Sequence, residues 1–148
     1  MDKTPIAVMA TVFAGGFIAL QAPINAGLGK AVGSIPAASV SFAIGTAALV
    51  AITLLVAGGY GKIGAIGGLP WYYLLGGLLG AVYVTTALIA VQTLGAGGVT
   101  GATIAGQLAL SVVLDRFGAF GLEQRELSPL RLLGVGLLAV GMILVVRE

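Results

Sequence analysis

Gln21 and Asn25 stand four residues apart inside a long apolar run, with Pro23 between them. On a helix that spacing puts both carboxamides on one face. An interior proline lacks its own N–H and so frees a carbonyl one turn earlier. Two carboxamides beside a freed carbonyl can donate and accept hydrogen bonds while carrying no charge. A second row follows later in the chain: Thr103, Gln107 and Ser111 recur every four residues, Thr100 precedes them, and Asp115 continues the row. Ser39, Thr46 and Thr53 recur every seven residues, and Tyr83 and Thr86 are three apart. Hydroxyls of this kind commonly bond their own helix backbone. Three large amides are harder to explain that way, because polar groups at membrane depth usually face a cavity or the bundle interior. Gln21, Asn25 and Gln107 are therefore the expected solute contacts, with Ser111 on the Gln107 face.

The residue types also exclude chemistry. There is no His and no Cys, so no conventional zinc, haem or thiol site and no disulfide is expected. The acids Asp2, Asp115, Glu123, Glu126 and Glu148 all lie near the ends of apolar runs. No carboxylate is left at mid-run to bind a cation or relay a proton, as proton-coupled pumps require. Gly95-Ala96-Gly97-Gly98 has no basic partner to make it a phosphate loop. A net charge of +2 on seven basic and five acidic residues is too thin a signal for nucleic-acid binding. The residues point to no enzyme, no metal and no cofactor. They suit a neutral or zwitterionic polar solute.

The elements that position these groups are set by hydropathy. The 148 residues are 59% hydrophobic and 8% charged, against about 25% charged in soluble domains. Mean hydropathy is +1.13. No charge occurs between Lys30 and Lys62, or between Lys62 and Asp115. The second gap would extend ~78 Å as a helix, far beyond a hydrocarbon core of ~30 Å, and must cross more than once. Ten-residue alternating segments, the mark of a membrane β-barrel, are missing. The first run is longer than a signal-peptide core and reads as a membrane helix. Four of five prolines (Pro5, Pro36, Pro70 and Pro129) each open such a run, as suits the first helical turn. Five membrane helices are predicted, at about residues 5–28, 36–57, 70–91, 97–114 and 129–146. Trp71, Tyr72 and Tyr73 open the third as an interfacial anchor would.

Twenty-five glycines supply close-packing faces, since small residues rather than a hydrophobic drive bring helices together in lipid. Gly76-Gly77-Gly80, Gly97-Gly101 and Gly134-Gly141 have helical spacing. Five helices can hardly enclose a solute cavity alone, so a dimer with a shared cavity is expected. Asp115 is expected to anchor its helix end beside Arg116. With five spans, Lys3, Lys62, Arg116, Arg125 and Arg131 fall on the N-terminal side, against Lys30 and Arg147. That weak bias favours an internal N-terminus and leaves dual insertion open.

Three segments resemble the YdcZ-type proteins, the half-size five-helix members of the drug/metabolite transporter superfamily. They are Gln21-Ala-Pro-Ile-Asn25-Ala-Gly-Leu-Gly-Lys30, Pro36-Ala-Ala-Ser-Val-Ser-Phe-Ala-Ile-Gly45, and Gly106-Gln107 through Leu114-Asp-Arg-Phe-Gly118. The last helix, Gly134-Val-Gly-Leu-Leu-Ala-Val-Gly141, is also similar to the dimerising helix of small multidrug resistance proteins, although their buried glutamate has no counterpart here. The resemblance implies a bacterial inner-membrane transporter half. It would assemble with a second copy or a paralogue in the opposite orientation, with Gly134 and Gly141 at the dimer interface.

Taken with the polar residues, the resemblance implies alternating access around a small polar solute held by Gln21, Asn25 and Gln107. Pro23 would provide flexure, and Trp71 and Tyr83 would shape the pocket. The alternatives are a passive dimeric channel and a non-transporting membrane assembly subunit.

Overall fold

A computed structural model describes residues 4–147. Asp2, Lys3 and Glu148, counted in the charge pattern above, lie outside the described residues. Within them the chain is helical, and no strand occurs among the described residues: α1 (Thr4–Val32), α2 (Ser34–Leu55), α3 (Leu75–Phe117) and α4 (Pro129–Val146). An apolar chain in lipid must satisfy its backbone groups internally, and a helix does so within one segment. All four are long and apolar enough to cross a membrane.

α1 runs past residue 28, through Lys30 to Val32, and only Gly33 separates it from α2. Gly33 holds φ 91° and ψ 152°, a conformation that glycine adopts without the steric cost of a Cβ. Its N–H donates to the Gly29 carbonyl at 2.8 Å, and its own carbonyl accepts from the Ala37 N–H at 3.0 Å. One residue thus closes one helix and opens the next. After α2, two 3-10 turns, Ile63–Gly68 and Trp71–Leu74, precede α3. Pro70 is extended, at φ −55° and ψ 135°, so regular α-helix begins at Leu75 rather than at the proline.

α3 is broken at Gly95, where φ 65° and ψ 172° leave helical space for a region essentially reserved to glycine. The apolar stretch containing it, Trp71–Phe117, has 47 residues, or ~70 Å of helix against a ~30 Å core.

The chain divides into two compact units, one of residues 20–92 and the other of residues up to 19 with those from 93 onward. In the first, Ala37, Ala38, Val84 and Leu88 are buried together, with Leu28 and Tyr83 against them. A Cβ at Gly29 would come within 3.0 Å of Leu88 Cδ2 and 3.6 Å of Ser34 Cα. Small residues here allow the helices to approach closely.

In the second unit, Gly97, Gly98 and Gly101 of α3 receive Val145, Val146 and Met142 of α4, with added Cβ atoms 3.5–3.6 Å from those side chains. A polar clasp closes the loop between the two helices. Arg131 Nη2 donates to Asp115 Oδ2, Gln124 Nε2 donates to the Arg116 carbonyl at 2.9 Å, and the Arg125 N–H reaches the Asp115 carbonyl at 2.8 Å. Asp115 thus anchors its helix end, though its carboxylate is not held by the adjacent Arg116. Its partner is Arg131, sixteen residues on and in the first turn of α4. Ser128 caps that turn by accepting from the Arg131 N–H at 3.2 Å.

Candidate functional site

The buried residues of α1 are Ala22, Asn25, Ala26 and Gly29, a face with spacings of three and four. Three are too small to fill a crossing and the fourth is polar. Asn25 is 6% exposed, yet its Nδ2 has no hydrogen-bond partner. Leaving a buried donor unpaired costs about 1–3 kcal/mol. One turn earlier, about 6 Å along the helix axis, Gln21 is exposed. It lines a cleft of about 190 Å³ with Ser41, Phe42, Gly45, Thr46 and Leu49 of α2.

The α1–α2 connection fixes the register of this cleft. A Cβ on Gly29 would lie 3.8 Å from the Ala37 Cβ. Moving four residues back on α1 and four forward on α2 brings Asn25 level with Ser41, and Gln21 level with Gly45. Neutral hydrogen-bonding groups thus follow one another along the helix pair. Phe42 lies across the cleft, and its ring meets α3 at Gly80, where Cζ is 3.5 Å from an added Cβ.

Other polar groups are used within their own helices. Ser39 Oγ donates to the Ile35 carbonyl at 3.1 Å, and Thr53 Oγ1 to that of Leu49 at 2.8 Å. Of the seven-residue row, Thr46 is the one that lines the cleft. Gln92 Nε2 donates to the Leu88 carbonyl at 3.4 Å. Ser41, which also lines the cleft, was not singled out from the sequence.

The remaining expected site residues are placed as follows. α1 stays helical through Pro23, which leaves the Ala19 carbonyl without its intrahelical donor. Tyr83 packs on the Leu88 cluster and is not among the residues lining the cleft. Trp71 is 72% exposed, with its ring 6.3 Å from that of Tyr72, in the 3-10 turn before α3. Gln107 and Ser111 are exposed one turn apart on α3, in the unit that contains α4. Added Cβ atoms at Gly134 and Gly141 would meet nothing within 4 Å. Among the described residues no cluster of acids could hold a metal.

The family described as "Putative inner membrane exporter, YdcZ" matches residues 6–144. The chain belongs to the YdcZ family. No curated protein and no solved structure gives a significant match. This YdcZ-family protein is accordingly an inner-membrane protein, and its class is that of membrane transporters. The family match takes in the cleft, the buried Asn25 and most of α4 alike. An exporter must offer a solute polar contacts inside an apolar bundle. In residues 20–92 of this YdcZ-family chain, the polar groups that line the cleft are an amide and two hydroxyls, with no charged group among them.

Proposed function

We propose that the chain is one half of a secondary transporter that moves a small polar solute out across the inner membrane by alternating access. The break at Gly95 divides the long α3 stretch into two crossings, which makes five spans. An odd number lets two copies, or a copy and a paralogue, assemble antiparallel as inverted repeats around a shared midplane site. Gln21 and Asn25 are the central solute contacts, and Pro23 lends flexure beside them. Gln107 and Ser111 offer a further polar patch to solute in the assembled dimer. Tyr83 and Trp71 support the site at a distance, and the open faces of Gly134 and Gly141 are the dimer contacts.

The observation that carries this reading is the buried Asn25 carboxamide with an unused donor, one turn from a polar cleft. Burial without a partner is costly for stability alone and is relieved when a solute accepts the bond. The test is counterflow in proteoliposomes with a panel of labelled neutral and zwitterionic solutes. Saturable exchange that falls at least tenfold in Gln21→Ala and Asn25→Ala, with a weaker fall in Gln107→Ala, is expected. Unsaturable flux without exchange would identify a channel instead, and no flux with any solute an assembly subunit. Labelling Glu148→Cys with an impermeant maleimide addresses assembly. Half the molecules labelled from outside supports the antiparallel homodimer, whereas all or none requires a paralogue or a parallel pair.

A further inference from the structure

Gly45 occupies a distinctive position in the cleft. It lines the space, yet a Cβ built on it meets nothing within 4 Å. Its φ is not in the positive range that demands glycine. Neither packing nor backbone conformation therefore requires a glycine there, and glycine inside a helix is less favourable than alanine. What its missing side chain does is leave the cleft open. Gly29 shows the contrast, because a Cβ there would come within 3.0 Å of Leu88 Cδ2.

The lining also restricts what can enter. Gln21, Ser41 and Thr46 give donors and acceptors, and Phe42 and Leu49 give an apolar wall. Asn25, one turn from Gln21 on α1, is not among the residues lining the cleft, and its buried Nδ2 has no partner. No charge lies anywhere between Lys30 and Lys62. A charged or zwitterionic solute would thus lose its water without gaining a counter-charge, which is strongly unfavourable. At about 190 Å³ the cleft is also below the ~300–1,000 Å³ of drug-sized sites.

We propose that the α1–α2 cleft is a subsite for a small uncharged polyhydroxylated solute, and that Gly45 sets the size of solute it admits. Hydroxyls of such a solute bond Gln21, Ser41 and Thr46, and its C–H face lies on the Phe42 ring. This rests on the transporter reading for its setting but narrows the solute from polar to uncharged, and assigns a role to a residue outside the amide set.

The chain has no cysteine, so Thr46→Cys places a single thiol in the cleft. In membrane vesicles its modification by methyl methanethiosulfonate is followed by intact mass. The four-carbon polyol erythritol is expected to slow the reaction at least threefold. Glycine and choline at equal osmolarity should leave it unchanged. Adding Gly45→Leu should slow the basal reaction at least threefold and abolish the erythritol effect, and Gly45→Ala should fall between. Protection by glycine or choline, protection by none of the three, or an unchanged rate in Gly45→Leu each overturns the proposal. Vesicles in which erythritol protects but reconstituted protein exchanges no solute would keep the subsite and discard the transporter reading. Saturable exchange without erythritol protection would do the reverse.

Discussion

Residues 20–92 and the unit containing α4 handle their polar groups in opposite ways. In the first, a carboxamide is buried with an unused donor while a neighbouring amide and two hydroxyls line an open cleft. In the second, the charged groups at the α3 end are joined: Arg131 holds Asp115, and Gln124 holds the Arg116 carbonyl. Arg131 keeps one buried nitrogen free, but its charge is matched. The apolar contacts of the two units are alike, glycines or alanines receiving larger side chains. Packing therefore does not separate them. The state of the polar groups does: one unit has an unused buried donor one turn from an open cleft, the other a closed clasp of paired groups.

The largest effects should come from the packing that both units share. Leu88 is fully buried, and Leu88→Ala should cost about 2–5 kcal/mol, toward the low end because lipid already solvates the unfolded helices. Leu78→Ala, at a residue 62% exposed, should leave the melting temperature in detergent unchanged. Gly29→Ala should itself destabilise, since its Cβ meets Leu88 Cδ2 at 3.0 Å. In the Leu88→Ala background that added cost should vanish. Equal costs in both backgrounds would remove the close approach from the account of how α1, α2 and α3 pack.

The next pair of substitutions differs in sign. Asn25→Leu removes an unpaired donor whose burial costs about 1–3 kcal/mol, so it should raise thermal stability while abolishing solute exchange. Asp115→Asn should instead lower stability by about 1 kcal/mol, the pair being roughly a quarter to a third exposed and thus partly screened. A double-mutant cycle with Arg131→Gln should return a coupling of similar size. If Asn25→Leu destabilised as Asp115→Asn does, the contrast between the two units would collapse.

Much of the fold is legible because proline, glycine and charge punctuate an apolar chain. Pro129 after Ser128 marks a helix start with its cap, and the glycine run from Gly95 marks the α3 break. The α1–α2 connection is less legible. Lys30 reads as a helix end beside a loop, whereas one glycine in a left-handed conformation lets helix continue almost to its partner. The Asp115 partner could not be read locally, since Arg116 is the nearer base but its carbonyl, not its charge, is what the loop uses. Of the site, the two amides on α1 were visible as costly polar groups. Ser41 and Gly45 were not, because a serine or glycine in a membrane helix has too many ordinary explanations until a cleft is seen beside it.

The smallest effects sharpen the comparison within a single helix. Ser39, Thr46 and Thr53 have the same seven-residue spacing on α2 and could not be ranked by sequence. Ser39 and Thr53 each donate to the carbonyl four residues earlier, a bond that adds little stability and often bends the helix slightly. Ser39→Ala and Thr53→Ala should therefore change stability by less than about 0.5 kcal/mol, as for substitutions that break no buried network, and leave solute exchange intact. Thr46→Ala should be equally silent in thermal melts. In counterflow, however, it should raise the half-saturating solute concentration severalfold, because its hydroxyl lines the cleft instead of serving its own backbone. Equal transport by all three variants would mean that the cleft contributes nothing to solute contact, and that the polar groups of residues 20–92 only hold helices together.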